Sequence, residues 1–221
     1  MGPDGYDANW AMESANTYEW SYSYDPKDQL ARYFAQGPNP NVAGPGERMV
    51  YMDQDMWAAA LAMDRFLKEE RGPDANLLGM LQDEVYGPIG VPDFVAGTTY
   101  TADGSPGVPY AAWGALATPA DLARIGLLIA NKGITKDGTR ILHEGMVEGL
   151  FNGDEYSFAF WSDTFVTETG PMSAPLMSGA GGNYVSSLPD GRVVVILSKD
   201  DYNNDWPDEA RRSLLSAIAD R

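Results

Sequence analysis

A tyrosine ahead of a helical pattern is the side chain whose type and position could do chemistry in this chain. Tyr51 follows the Pro-Gly pair at 45–46 and precedes a helix that the sequence predicts to begin at Asp53. The amino end of a helix favours negative charge, so a phenolate would form there more easily than in free solution. A tyrosine at a helix start is by itself more often an ordinary half-buried aromatic, and it is the place of Tyr51 in the series of features along the chain that makes it our candidate acid/base group.

The usual nucleophile motifs are missing from these 221 residues. The pattern G-x-S-x-G does not occur, and no serine is followed by lysine three residues later, so S-x-x-K is absent too. There is no cysteine, which excludes disulfides and thiolate metal sites. The single histidine, His143, leaves little room for an imidazole metal site, so we expect neither a metal nor a cofactor.

The element that must position Tyr51 is the predicted helix from Asp53 to Arg71. Its apolar residues recur at helical spacing, as in an amphipathic helix. Asp53 or Asp55 can cap the first turn, and Gly72-Pro73 ends the last turn. The face predicted to point inward comprises Met56, Ala60, Met63 and Leu67, with Trp57 and Leu61 beside them.

Helical patterns dominate residues 1–155, and capping signals mark where helices start. Thr118-Pro119-Ala120-Asp121 is a capping box with proline at the first helical position. Residues 92–113 form a long loop rich in Gly, Pro, Thr and Tyr, and loops of this length in compact domains are often functional. The remaining predicted helices lie at 25–34, 73–86 and 146–151.

The last third of the chain has the pattern of an antiparallel sheet with a covering helix. Tyr156, Phe158 and Phe160 alternate as in a strand. Pro189-Asp190-Gly191 is a favoured hairpin turn between two further strands at 184–188 and 193–198. A terminal helix starts near Asp205, with Ala210, Leu214, Ala217 and Ile218 predicted to face inward.

Helices followed by antiparallel strands and a final helix predict the α+β class. The length suits one domain, or at most two small ones. We therefore expect residues 1–221 to be a portion of a single domain. Its mainly helical and loop part would span 1–155, and its sheet with the terminal helix would span 156–221.

The net charge of −17 excludes most nucleic-acid partners, since phosphates would be repelled. The acidic residues are scattered along the chain, which is typical of a solvated surface. No run of about 18 apolar residues occurs, so we expect no membrane span. The sequence leaves the oligomeric state and the compartment open.

In their order, these features resemble the serine β-lactamase and penicillin-binding-protein superfamily, especially class C β-lactamases and the related esterases and amide hydrolases. The family pattern runs from a Gly-rich turn and a Tyr-x-Asn motif through helices to a Lys-Thr-Gly strand, a hairpin and a final helix. The resemblance covers nearly the whole chain. The matching segments are Pro45-Gly46, Tyr51-Met52-Asp53, Gly87-Pro88-Ile89-Gly90, Gly114 to Arg124, and Met177 to Gly182.

The resemblance implies a β-lactamase/transpeptidase-like fold and acyl transfer, in which a serine attacks a carbonyl while a lysine and a tyrosine handle its proton. Tyr51 matches the family tyrosine, the general acid/base. Asp53 matches the asparagine that contacts the substrate. Ser178 and Gly179 match the Thr-Gly pair of the substrate-binding strand, and the backbone N–H of Ala180 is the implied oxyanion donor.

The chain departs from the family pattern in three respects. Asp53 replaces the asparagine, and Met177 replaces the strand lysine that would meet a substrate carboxylate. Both changes favour an uncharged ester or amide as the small-molecule substrate. The family serine and lysine would lie upstream of Met1, so we expect a truncated chain and an incomplete domain that is inactive by itself.

A second hypothesis, of a different class, is a non-catalytic relative that binds a ligand or a protein in the same cleft. By residue type alone, Asp53 fits a helix cap better than a functional role in the site. Ser178 to Gly182 likewise fits a turn between strands, in which glycine permits close backbone approach. A genuine S-x-x-K segment in a longer gene product would favour the enzyme over the binding protein.

Overall fold

The computed structural model describes residues 51, 53–91, 94–100, 106–197 and 207–221. The described residues form two compact units, one within 1–83 and 93–116, the other within 84–92 and 117–221. Each unit has a hydrophobic cluster of its own. The expectation of one domain portion with parts meeting at residue 155 stays a prediction.

The helix predicted after Tyr51 is confirmed as α1, Asp53–Arg71. It ends at Gly72, whose φ of 102° lies in the region that glycine adopts without strain. The predicted burial of Met63 is wrong, because this side chain is 44% exposed and Asp64 takes the buried position beside it. The buried apolar residues of α1 are Trp57, Ala60, Leu61 and Leu67.

Asp64 can be buried in α1 because both of its carboxylate oxygens have partners. The backbone N–H of Leu77 donates to Oδ1 at 3.0 Å, and Lys68 Nζ donates to Oδ2 at 2.5 Å. Asn76 caps the next helix by accepting a hydrogen bond from the N–H of Gly79 at 2.8 Å. The helix predicted from residue 73 therefore begins only at Leu77.

This helix, α2 (Leu77–Leu81), continues into a single π-helical turn, Gln82–Tyr86. Leu77 packs with Ala60 and Leu67 of α1 in the core of the first unit. The half-buried Val108 packs against the same cluster. The first unit is therefore held together by α1, α2 and one strand that the sequence did not predict.

The long loop predicted over 92–113 is wrong for its described part, which contributes three of the four strands of two small antiparallel ribbons. Their strands are β1 (Val95–Ala96), β2 (Thr98–Tyr100), β3 (Pro106–Pro109) and β4 (Ala115–Leu116), paired β1 with β4 and β2 with β3. An aromatic stack anchors them, since the Tyr110 ring lies 4.9 Å from the Trp57 ring, almost parallel to it. A Cβ at Gly97 would lie 2.6 Å from Tyr110 Cδ2, so only glycine fits beneath the tyrosine.

The capping box predicted at Thr118 is confirmed at the start of α3, Pro119–Ala130. The Thr118 N–H donates to Asp121 Oδ2 at 3.1 Å, and the Asp121 N–H donates to Thr118 Oγ1 at 3.2 Å. The helix ends at Asn131, as predicted. The short helix predicted over 146–151 is present earlier in the chain, as α4, Glu144–Gly149.

A five-stranded antiparallel sheet with its strands in chain order dominates the second unit. The two predicted strands around the turn at 189–191 are present. The sequence missed the long hairpin before them, because its serines, threonines and prolines break the apolar alternation. The five strands are β5 (Tyr156–Ser157), β6 (Phe160–Thr167), β7 (Gly170–Gly179), β8 (Asn183–Ser187) and β9 (Val193–Ile196).

Helices cover both faces of this sheet. Successive residues of a strand point to opposite faces. The guanidinium of Arg211, from the last helix α5 (Asp208–Ala219), lies 4.7 Å from the centre of the Tyr184 ring. On the other face, a Cβ at Gly126 of α3 would lie 3.0 Å from Val185 Cγ1. The second unit therefore has helix, sheet and helix in three layers.

The inward face predicted for the last helix is partly wrong. Ala210 and Ala217 are exposed, whereas Arg211 and Leu215 are buried. The reason is a buried acid on β6, Asp163, which the arginine can reach only from the inner face of the helix. The predicted Leu214 and Ile218 do pack against the apolar clusters of the sheet.

The predicted α+β class is confirmed by the described helices and the antiparallel sheet. The predictions for 25–34, for Pro45-Gly46 and for the start of the last helix at Asp205 lie outside the described residues. Among the helices that the structure describes, none is long and apolar enough to cross a bilayer.

Candidate functional site

Tyr51 and Asp53 lie together where α1 begins. Asp53 is the first helical residue, and Tyr51, which is 36% exposed, lies two positions before it. Asp55 lies in the first turn, where burial raises the pKa of its carboxyl. The tyrosine thus has the position at a helix start that the sequence predicted, while its acid/base role stays a prediction.

Ser178, Gly179 and Ala180 lie together at the far end of β7. Ser178 pairs with Tyr184, and Gly179 pairs with Asn183, so Ala180 is the first residue beyond the strand. All three residues are exposed. The backbone N–H of Ala180 therefore belongs to a strand end at the surface of the second unit.

A tight turn follows Ala180 and accounts for the two glycines after it. Gly181 and Gly182 both have φ of 80°, a conformation that side-chain-bearing residues rarely adopt. The Asn183 side-chain amide donates to the carbonyl oxygen of Ala180 at 3.1 Å and ties the turn to β8. The sequence left a turn and a substrate site as alternatives for this segment, and the turn is present.

Among the strands that the structure describes, the last three residues of β7 pair with β8 on one side and have no paired strand on the other. The register of β7 with β6 runs from Gly170 to Leu176, opposite Trp161. Its register with β8 begins at that same Leu176 and continues to Gly179. Met177 to Gly179 therefore extend past the β6 ladder, and a strand edge of this kind can align an extended amide or ester by backbone hydrogen bonds.

Charged residues behind this strand end hold β8 in place. Arg211 lies over the ring of Tyr184, which is the partner of Ser178 in the ladder. Arg211 Nε donates to Asp163 Oδ2 at 2.7 Å, and Arg212 Nε donates to Oδ1 of the same carboxylate at 2.9 Å. Asp163 is fully buried, so this cluster is structural support beneath the exposed end of β7.

The sequence missed a strained turn beside the same strand end. Ser157 pairs with Phe160, so Phe158 and Ala159 form a two-residue hairpin turn. The alternation of Tyr156, Phe158 and Phe160 had predicted a continuous strand here, and that prediction is wrong. Their φ values are 48° and 67°. Asn-Gly and Asp-Gly are the sequence signals for such a turn, and this chain has neither at the position.

The two groups of predicted site residues belong to different compact units, Tyr51 and Asp53 to the first and Ser178, Gly179 and Ala180 to the second. Within the described residues, no three His, Cys, Asp or Glu side chains cluster so that they could hold a metal ion. What the described site residues offer chemically is a tyrosine at a helix start and backbone donors at a strand end.

No protein-family model matches the chain, and no curated protein matches it. Solved structures do match. One is a protein from Bacillus anthracis named "Putative 6-aminohexanoate-dimer hydrolase", with a TM-score of 0.59 and 19% sequence identity. The match covers 80% of this chain and 45% of that one, so the chain spans less than half the length of this protein.

At this level of identity the likeness concerns the fold and leaves the activity open. The Bacillus anthracis protein has a β-lactamase/transpeptidase-like fold. The α+β order of helices, antiparallel sheet and terminal helix described above agrees with that fold. The chain therefore has a fold similar to the β-lactamase/transpeptidase-like fold of that protein.

Proposed function

We propose that the chain is part of a β-lactamase-related serine hydrolase that cleaves an uncharged ester or amide through an acyl-enzyme. The observation that carries the proposal is the position of Ser178-Gly179-Ala180 at the exposed end of a sheet strand, in a fold similar to that of a named hydrolase. In the resembling family the corresponding strand carries the oxyanion donor.

In the proposed mechanism, the carbonyl of the substrate lies against the end of β7. The backbone N–H of Ala180 would donate to the oxygen as it becomes an oxyanion, with Ser178 and Gly179 contacting the substrate. Tyr51 would take the proton of the attacking serine and return it to the leaving group, with Asp53 contacting the substrate. Met177 in place of a lysine supports an uncharged substrate.

The nucleophilic serine and its lysine are the missing parts of this mechanism. No S-x-x-K occurs in the sequence, and the chain covers 45% of the Bacillus anthracis protein. We propose that both residues belong to a longer gene product. An intact longer sequence without S-x-x-K would support the alternative, a non-catalytic relative that binds a ligand or a protein in the same cleft.

A fluorophosphonate probe and p-nitrophenyl acetate test the proposal, applied to the 221-residue chain and to the longer gene product. We expect the longer protein to be labelled at the serine of an S-x-x-K segment and to hydrolyse the ester. Replacing that serine by alanine should abolish both signals, and the 221-residue chain should show neither.

Two results would contradict the proposal. One is labelling or hydrolysis by the 221-residue chain itself, since its nucleophile would then lie among these residues. The other is a longer product with an intact S-x-x-K that reacts with neither reagent. A longer product without S-x-x-K that binds small amides and hydrolyses none would establish the binding alternative.

A further inference from the structure

We propose that Phe158 is a specificity residue that contacts an apolar hydrocarbon arm of the substrate, an inference that rests on the proposed hydrolase function. It concerns the β5–β6 turn, Phe158-Ala159, and its place beside the end of β7. Neither residue belongs to the motifs of the family resemblance, and neither takes part in the proposed acyl transfer.

The first observation is the cost of the turn. A two-residue hairpin in which both residues have positive φ strongly favours Asn-Gly or Asp-Gly. Here the residues are phenylalanine at 48° and alanine at 67°, and left-handed backbone is unfavourable for both. Residues with backbone strain of this kind cluster at active sites and ligand-binding segments.

The second observation is exposure. The Phe158 side chain is 54% exposed, although it is a large apolar group in a strained turn. One side of its ring is held against α4, where a Cβ at Gly149 would lie 3.3 Å from Phe158 Cε2. The ring is therefore partly packed and partly open, as a wall of a binding site would be.

The third observation is the register. Trp161 lies opposite Leu176 in the antiparallel β6–β7 ladder. Because the strands are antiparallel, the residues that precede Trp161 and the residues that follow Leu176 lie toward the same end of the sheet. The former lead back to the turn at Phe158, and the latter lead on to Ser178. Neighbouring strands lie about 5 Å apart, so the turn flanks the strand end that carries the Ala180 N–H.

The charges near the turn support an apolar arm over an anionic one. Asp154 and Glu155 are exposed just before β5 and would repel a carboxylate. Met177, the first β7 residue beyond the ladder with β6, is apolar and half-buried. An alkyl chain attached to the ester or amide would be uncharged and would bury apolar surface against the phenylalanine ring.

The experiment compares p-nitrophenyl acetate with p-nitrophenyl hexanoate, and methyl acetate with hexyl acetate, as substrates of the longer protein. Phe158→Ala should lower the preference in kcat/KM for the longer chain about tenfold in one of the two series. The series that responds identifies the acyl or the alcohol arm. An unchanged preference in both series would overturn the inference.

Two further variants separate this role from a structural one. Phe66 is an equally exposed phenylalanine, 55%, on α1 in the first unit, so Phe66→Ala should leave the chain-length preference unchanged. The double variant Phe158→Asn/Ala159→Gly suits the backbone of the turn better, so its Tm should rise while the preference is lost. A retained preference in this stable variant would count against Phe158.

Binding measurements distinguish failure of the inference from failure of the proposed function. If the parent protein hydrolyses no ester, the hydrolase proposal fails, and saturation-transfer NMR with N-phenylhexanamide and N-phenylacetamide decides the inference alone. Stronger binding of the hexanamide that is lost in Phe158→Ala would support the apolar contact. No binding of the hexanamide, or binding unaffected by the substitution, would overturn it.

Discussion

Arg211 of α5 donates through Nε to Asp163 of β6 at 2.7 Å, and both side chains are almost fully buried. The pair joins the last helix to the second strand of the sheet across 48 residues of chain. Asp163 also accepts from Arg212, and Arg211 also donates to Asp208 at 2.8 Å. Both charges are therefore paired, which is the condition for burying them.

Removing one partner of this pair should destabilise the protein strongly. Arg211→Ala leaves a buried carboxylate with one remaining arginine, and we expect the free energy of unfolding to fall by about 3 kcal/mol or more. Chemical denaturation followed by circular dichroism measures the change.

Arg212→Ala is the matched control, because Arg212 is 47% exposed and bonds the same carboxylate. Arg212→Ala should lower the free energy of unfolding by about 1 kcal/mol or less. Equal losses of stability in the two variants would show that the buried arginine is no more important than the exposed one.

Gly126→Ala should destabilise the second unit by crowding the contact between α3 and the sheet. The new Cβ would lie 2.6 Å from Val193 Cγ1 and 3.0 Å from Val185 Cγ1. We expect a loss of about 1–3 kcal/mol, as for other overpacked cores.

Gly145→Ala on α4 is the control, since only His143 atoms at 3.5 Å or more lie near its Cβ. That variant should be stabilised by up to about 1 kcal/mol. A Tm for Gly126→Ala at or above the parent value would contradict the close contact.

Two serines of the sheet should respond oppositely to replacement by alanine. The hydroxyl oxygen of Ser162 is buried and has no hydrogen-bond partner among the described residues. Ser162→Ala should therefore be neutral or stabilising by up to about 1 kcal/mol. Ser187 Oγ donates to the Gly126 carbonyl oxygen at 2.9 Å, so Ser187→Ala should cost about 1 kcal/mol. Urea denaturation of both variants gives the comparison, and a larger loss for Ser162→Ala would show that its hydroxyl has a partner after all.

The capping box of α3 predicts a pH effect. Hydrogen bonds from the Thr118 hydroxyl and backbone N–H hold the pKa of Asp121 below the usual value of an aspartate. A depressed pKa gives stability that is present above the unfolded-state pKa and is lost as the pH falls through the folded-state pKa. Thr118→Val should raise the Asp121 pKa toward its usual value and shift the acid-side loss of stability to higher pH.

Carbonyl-carbon NMR titration of Asp121 measures this shift directly. Asp55, whose pKa is raised by burial, serves as the internal control and should titrate unchanged in Thr118→Val. An Asp121 pKa that does not move would show that the threonine hydroxyl is not its main partner.

Tyr51→Phe tests the proposed acid/base role in the longer, active protein. Loss of a positioned acid/base group should lower kcat by about 10²–10⁴-fold. Tyr110→Phe is the control, because it keeps the ring stacked on Trp57 and removes a hydroxyl outside the proposed mechanism. Ester hydrolysis measures both variants. A change below about threefold in Tyr51→Phe would remove this residue from the mechanism.

The sequence alone predicts the elements whose signals are local. The helix after Thr118 begins at its capping box, and Asp53–Arg71 ends at Gly72, because such signals involve residues only a few positions apart. The hairpin at 189–191 is present for the same reason, since Asp-Gly suits its turn. The order of these elements was also enough to suggest the fold type that the solved structure supports.

Only the tertiary structure decided the features that depend on distant partners. A buried aspartate in β6 is tolerable because Arg211 reaches it from another helix, and no local pattern encodes that pairing. The turn at Phe158 has neither Asn-Gly nor Asp-Gly, and only the pairing of Ser157 with Phe160 reveals it. The resemblance had already suggested a site at Ser178 to Ala180, but only the register showed that the pairing of β7 with β6 stops at Leu176, before these residues. Register is set by long-range packing and not by neighbours in sequence.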